Sequence, residues 1–370
     1  MDPVAHTFTG AALAAAGLRR ATPLAGAALL LGANVPDVDA LAYFAGGYDA
    51  VAFRRGLTHG VLALVVWPFV LAGALLAWDR WVRRRRGSAA APARAGPLLA
   101  VSAIAVATHP TLDWLNNYGL RWLMPFDGRW FYGDALFIVD PWLWLIPGGA
   151  AFLMFSRSRS SLLGWATFAI LATLLVLGNS ALVPALTRAL WVVAVALLAL
   201  LRWRWSAAPV ARLERAAHAA LALTAVYVVA MLGASAAARG EVRAALAGRG
   251  IEAESVMVAP LAGNPFGGSV VVATADDYFT GGFAWFDAPR LTLEPERIAR
   301  PSGPVFAAAA QTIDARKFLR WSRFPAVEIE PQPDGGTIVR FSDVRYRDAG
   351  RLGGPLVRLD AALRPVEASR

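Results

Sequence analysis

This chain carries apolar runs of the length needed to cross a bilayer, and nothing else in it restricts the fold as much. A helix takes roughly 20 residues to span the hydrocarbon core. Runs at 60–78, 97–107, 138–155, 162–183, 185–201 and 216–236 read as such spans. Charged residues make up 17% of the chain and the mean hydropathy is +0.48, whereas an ordinary soluble domain has about a quarter of its residues charged. The expected fold is mainly α: a polytopic membrane helix bundle of six clear spans. Two shorter N-terminal apolar helices precede them, tilted, interfacial or re-entrant. Asp2-Pro3 and Asp140-Pro141 read as helix starts, with Asp at the N-cap and Pro at the first helical position.

After Ala236 the composition shifts toward Gly, Pro and charge. Alternating runs at 269–274, 337–341 and 344–346 read as strands, and 241–247 and 316–321 as short helices. The expected division is a membrane domain at 1–236 and a soluble α+β domain at 237–370. The Arg-rich segment 83–97 reads as a low-complexity loop. No basic leader with a cleavage site opens the chain, so no removable signal peptide is expected.

The formal charge of +10 sits almost wholly in the membrane half, which holds 19 basic and 10 acidic residues against 17 and 16 from Ala237 onward. Basic residues in short loops between apolar runs set membrane orientation, so nucleic acid is not an expected partner. Arg80, Arg83, Arg84, Arg85, Arg86 and Arg94 place their loop in the cytoplasm. Alternation of the other loops then leaves 14 basic residues inside and 5 outside. On that map His6, Asp37, Asp39, His59, His109, Asp113, Asp134 and Asp140 all fall at the external ends of the helices. With no cysteine in the chain, disulfides and thiolate metal sites are excluded.

Histidine and aspartate are the usual ligands of a hydrolytic metal, and ionisable groups inside a membrane are costly and usually functional. His109 and Asp113 are four apart and share a helix face. Pro110 between them predicts a kink or a fresh helix start. Asp37 and Asp39 fall on one side if their segment is extended; the competing reading is an Asx-capped turn. Arg54 and Arg55 precede His59, where a guanidinium fork suits phosphate or carboxylate, or lipid headgroups. His6 lies on an apolar, Ala-rich helix, where a lone histidine is as often a satisfied core residue. The aromatics from Tyr118 to Trp144 read as an interfacial belt, with a lid over a lipidic substrate as the alternative. His218, four residues after Glu214, reads as one half of a helix-face pair.

An ordered set of these segments resembles the YdjM-type membrane-bound metal-dependent hydrolase family. The matching pieces are His6 in Ala-His-Thr, Asn-Val-Pro-Asp37-Val-Asp39, Arg55-Gly-Leu-Thr-His59 and His109-Pro-Thr-Leu-Asp113, followed by Tyr118-Gly119 and Pro125-Phe126. Where the family often has Ser after the Thr-His pair, this chain has Gly60. The resemblance implies a bacterial inner-membrane location and metal-dependent hydrolysis. The His-x-x-x-Asp pair is also similar to one used by zinc-dependent phospholipases C.

The expected centre is a divalent metal, zinc first by ligand type, held by some of His6, Asp37, Asp39, His59, His109 and Asp113. Asp39 or Asp113 is expected to handle the proton, and Arg55 and Arg121 to neutralise developing charge. The expected substrate is a lipid or lipid-linked phosphoester at the outer face. An ion-coupled transporter using the same acids, and a non-catalytic scaffold, are the alternatives.

Overall fold

The computed structural model describes residues 1–46, 48–86, 91–349 and 353–366. Part of the 83–97 loop, at 87–90, lies outside the described residues. Two compact units emerge. The first comprises Met1–Val38, Arg55–Ser235 and Ala259–Pro265, and the second Asp39–Arg54, Ala236–Val258 and Phe266–Arg370.

The first unit begins with two short helices, α1 (Pro3–Ala15) and α2 (Ala25–Gly32). The Asp2 carboxylate caps α1 by accepting from the Val4 and Ala5 amides. A 3-10 segment, Val35–Ala45, follows α2, and α3 (Asp49–Phe53) belongs to the second unit. Then come α4 (Val61–Trp78), α5 (Ala95–Trp114), α6 (Pro141–Phe155), α7 (Arg159–Gly178), α8 (Ala185–Arg204) and α9 (Val210–Ala247). Among the described residues five helices are long and apolar enough to cross a membrane, or six if Ala25–Gly32 and Val35–Phe44 form one bent span. Leu163, Ile170, Leu174, Val226 and Val229 are exposed, as lipid-facing positions should be.

Helix α6 starts at Pro141, as the Asp140-Pro141 reading has it, with the Asp140 carboxylate accepting from the Trp142 and Leu143 amides; at 15 residues it is shorter than the 138–155 run. The last span does not stop at residue 236: the Ala-rich stretch that follows is a strong helix former, so span and expected short helix are one 38-residue α9.

Backbones approach closely where glycine removes the side chain. A Cβ on Gly10 of α1 would sit 2.5 Å from the Leu29 carbonyl of α2, and one on Gly32 of α2 would sit 2.8 Å from Ala105 Cβ of α5. Small residues thus bring α1, α2 and α5 together. Gly60, just before α4, faces the Met124 carbonyl with no room for a Cβ, which accounts for glycine where the resembling family often has serine. Gly60→Ser should therefore destabilise the protein by about 1–3 kcal/mol, read as a lower unfolding temperature in detergent.

The second unit holds two four-stranded sheets. Strands β1 (Ser255–Pro260), β2 (Gly267–Ala273), β3 (Asp277–Ala284) and β4 (Leu291–Ala299) neighbour one another in chain order. Val242 and Leu246 of α9 pack on Val256, Val258, Val270 and Val272. Helices α10 (Gly303–Ala309) and α11 (Ile313–Trp321) lead into a second sheet, β5 (Pro325–Pro331), β6 (Thr337–Asp343), β7 (Leu356–Leu359) and β8 (Pro365–Val366), antiparallel throughout.

The expected strand at 344–346 is a 3-10 turn instead. Asp343 causes it: its carboxylate accepts from the Arg345 amide and from the Arg345 guanidinium, folding the chain back on itself. The same carboxylate accepts from Ser322 Oγ at 2.7 Å and the Arg323 amide at 2.8 Å. Burial pushes the Asp343 pKa up, but the Arg345 charge and these hydrogen bonds outweigh it and hold the group below its ordinary value. A depressed native pKa contributes stability that is complete above the unfolded value and is lost as pH falls through the native one. Asp343→Asn should cost about 3 kcal/mol near neutral pH, with the deficit shrinking in acid, measured by denaturant unfolding of the full chain across pH.

Candidate metal centre

Four side chains from three places in the sequence converge in the first unit. One donor atom from each of Asp37, His59, His109 and Asp113 lies within 4.8 Å of all the others. His59 Nε2 is 3.1 Å from His109 Nε2 and 3.3 Å from Asp113 Oδ2, and His109 Nε2 is 3.5 Å from the same oxygen. Asp37 Oδ1 stands 3.9 and 3.8 Å from the two imidazole nitrogens. Four ligands around zinc at about 2.0–2.1 Å lie on tetrahedron edges of about 3.3 Å, so the donors sit close to a ligating arrangement.

Local structure aims each group. His109 and Asp113 lie one turn apart on α5, which runs on through Pro110 without a fresh helix start. His59 sits in a turn ending at Gly60, where the His59 and Gly60 amides both donate to the Gly56 carbonyl. Asp37 lies early in the 3-10 segment, its amide donating to the Asn34 carbonyl.

The histidine tautomers follow from their second nitrogens. His109 Nδ1 is 2.7 Å from the Ala33 carbonyl. A carbonyl only accepts, so Nδ1 carries the proton and Nε2 turns a lone pair into the site. Thr58 Oγ1 is 2.8 Å from His59 Nδ1 and can accept its proton in the same way. Partners of this kind fix ring orientation in metal sites.

Asp113 is divided between two environments. Its Oδ1 accepts from Arg55 Nη2 at 2.9 Å, lies 3.3 Å from His6 Nε2 and takes the amino group of Met1. Its Oδ2 is buried, makes no hydrogen bond and faces the two imidazoles. A buried carboxylate oxygen without a hydrogen-bond partner is costly, and a cation at the focus of the four donors would satisfy it. By this test the residues fit a metal cation.

The structure sorts the other expected residues. His6 stacks on His109, ring centroids 3.8 Å apart, and meets the far oxygen of Asp113; it is a neighbour of the four-donor group. Asp39 lies in the second unit with Arg54, 3.4 Å away. The expectation that Asp37 and Asp39 share a side fails because the segment is a 3-10 helix. Three residues per turn put positions two apart about 120° from each other. Arg55 is buried behind Asp113: its guanidinium also donates to Asn116 Oδ1 at 3.0 Å and packs on Tyr118. Arg121 packs over Trp130 and against Gly56. Asp140 caps α6 and accepts from the Tyr227 hydroxyl. His218 bonds the Glu214 carbonyl, whereas the Glu214 carboxylate pairs with Arg19 and Arg20, so the expected side-chain pair is not formed.

Sequence reasoning passed over Asn116 and the orienting role of Thr58. Asn116 is fully buried; its Oδ1 also accepts from the Tyr118 amide at 2.8 Å. Its place one turn beyond Asp113 was the available signal.

The fold and the site define a multi-pass membrane protein with a buried His/Asp group suited to a cation. Residues 1–183 match the family described as YdjM inner membrane protein. Through them the N-terminal half of the chain belongs to the YdjM family. No curated protein and no solved structure matches the chain.

Purified full-length protein should retain a divalent metal, counted by elemental analysis. His59→Ala and His109→Ala should lose it, Thr58→Val should weaken affinity about 10- to 100-fold, and Asp39→Ala should retain it. Retention by both histidine variants would remove those ligands from the site.

Proposed function

We propose that this chain is a metal-dependent hydrolase of the bacterial inner membrane that cleaves a lipid or lipid-linked phosphoester at the outer face. The observation that carries the reading is Asp113 Oδ2, a buried carboxylate oxygen without a hydrogen bond, aimed at two imidazole Nε2 atoms. His59, His109 and Asp113 would hold the ion, zinc first by donor type, and Asp37 would stand beside its open position. When bound, a divalent metal supplies a Lewis acid that makes water ionise near neutral pH.

The chain's own residues divide the remaining work. Arg55 and Asn116 hold Asp113 in place from behind. The Ala33 carbonyl and Thr58 keep both imidazoles presenting Nε2. Asp37 is the one member of the four that is not fully buried, which marks the open side of the group. A carboxylate there is placed to take a proton from attacking water and pass it to solvent, the role expected of Asp39 or Asp113 from sequence.

Depth favours hydrolysis over ion-coupled transport. His109 is five residues from the end of α5 and Asp113 one, so His109 lies about 8 Å from the helix terminus at 1.5 Å per residue. Transport sites gather near the midplane. The outer-face assignment draws support from the asymmetry of basic residues between loops.

The test is turnover of a panel of phospholipids and polyprenyl phosphoesters by full-length protein in detergent. Zinc-loaded wild type should release a phosphorylated headgroup or free phosphate. Chelation or His59→Ala should lower the rate at least about 100-fold, which corresponds to loss of about 2.7 kcal/mol of transition-state stabilisation. Metal-loaded wild type that turns over none of the panel would defeat the reading.

A further inference from the structure

The second unit contains a surface that neither its core nor the metal centre uses. Helix α11 is sharply two-sided. Ala315, Phe318 and Trp321 are buried, while Ile313, Arg316, Lys317 and Arg320 follow the i, i+3, i+4, i+7 spacing of one helix stripe. That stripe and Asp49, Ala52 and Phe53 of α3 line a cavity of about 410 Å³. Lys317 Nζ pairs with Asp49 at 2.7 Å, and the Tyr48 ring meets the Phe318 ring edge-on. These contacts fix α11 against α3. Arg316 and Arg320, both exposed, form the basic wall of the cavity.

The residues just before α3 are apolar and bare. Phe44 is 89% exposed, and Leu41 and Tyr43 are also exposed, as are Phe53 and Ile313 at the cavity itself. Leu41, Tyr43 and Phe44 belong to the segment that counts toward a possible sixth membrane span. Water is a poor solvent for such a cluster, and lipid is a good one. If these side chains sit in lipid, α3 and the α11 stripe packed on it lie at headgroup level within the same unit. Guanidinium groups at that level match lipid phosphates in charge and in donor geometry.

We propose that the α3–α11 cavity binds the headgroup phosphate of an anionic phospholipid of the surrounding bilayer, through Arg316 and Arg320. Phe53 and Ile313 receive the first part of its chains. Zwitterionic lipid carries the same phosphate with a compensating cation and binds more weakly. The site anchors the second unit to the membrane surface and does not involve the metal centre, so hydrolysis is not its readout.

The experiment uses full-length protein in neutral detergent, titrated with phosphatidylglycerol, phosphatidylcholine or inorganic phosphate, with retained lipid counted by native mass spectrometry. Wild type should retain phosphatidylglycerol in preference to phosphatidylcholine. A basic side chain near a charged membrane surface is worth about fivefold in affinity. Arg316→Gln with Arg320→Gln should therefore weaken phosphatidylglycerol retention about 25-fold, while exposed Arg358→Gln on β7 leaves it intact. Equal retention of the two lipids, or full retention by the double variant, overturns the proposal. Displacement of the lipid by inorganic phosphate alone also overturns it, by pointing to a soluble anion. Thermal unfolding of the double variant at the wild-type temperature shows that any loss is local.

Discussion

A single carboxylate, Asp113, holds the centre of the membrane half together. An ionised aspartate with no exposed surface survives only when its charge is compensated. Arg55 supplies that compensation, and Asn116 fixes Arg55 in turn. Arg55 adopts a left-handed backbone, with φ at 52°, a conformation a bulky side chain takes only when its surroundings impose it. The compensation reaches one oxygen of the carboxylate and leaves the other facing two imidazoles. The unsatisfied oxygen is a consequence of how the charge is held.

Those imidazoles are in place because helices that are poor spans make good wedges. Helices α1 and α2, at 13 and 8 residues, are too short to cross upright. Gly10 and Gly32 let them press against each other and against α5. The end of α2 then delivers the Ala33 carbonyl to His109 Nδ1, and α1 lays His6 over the His109 ring. Longer N-terminal helices with larger side chains would keep the carbonyl away and leave His109 free to choose its tautomer.

Much of this was legible in the sequence, for identifiable reasons. Span length and the His-x-x-x-Asp spacing are set by helix geometry, and α5 delivers both His109 and Asp113 to one place. The Asp-Pro starts of α1 and α6 are local chemistry and form as read. The Asp37/Asp39 pair was misread because an apolar segment with alternating acids suits a strand or a 3-10 turn equally well, and which one forms depends on tertiary surroundings. The turn after Asp343 differs likewise: Val344–Tyr346 has strand composition, but the neighbouring carboxylate takes the Arg345 amide. Asn116 has only its place one turn beyond Asp113 as a signal, since its role exists only once Arg55 arrives from elsewhere in the chain.

Charge balance around the centre bears on what it can accept. Asp37 and Asp113 bring two negative charges and the two histidines present neutral nitrogens, so a divalent ion closes the four-donor group at zero. Arg55 then remains as a positive charge beside a neutral group. Its field reaches the open side at Asp37 with little screening from solvent, because Asp113, His59 and His109 are all buried. On the proposed hydrolytic reading, that residual field would stabilise an anionic scissile group more than a neutral one. Arg55 itself is too enclosed to touch a substrate.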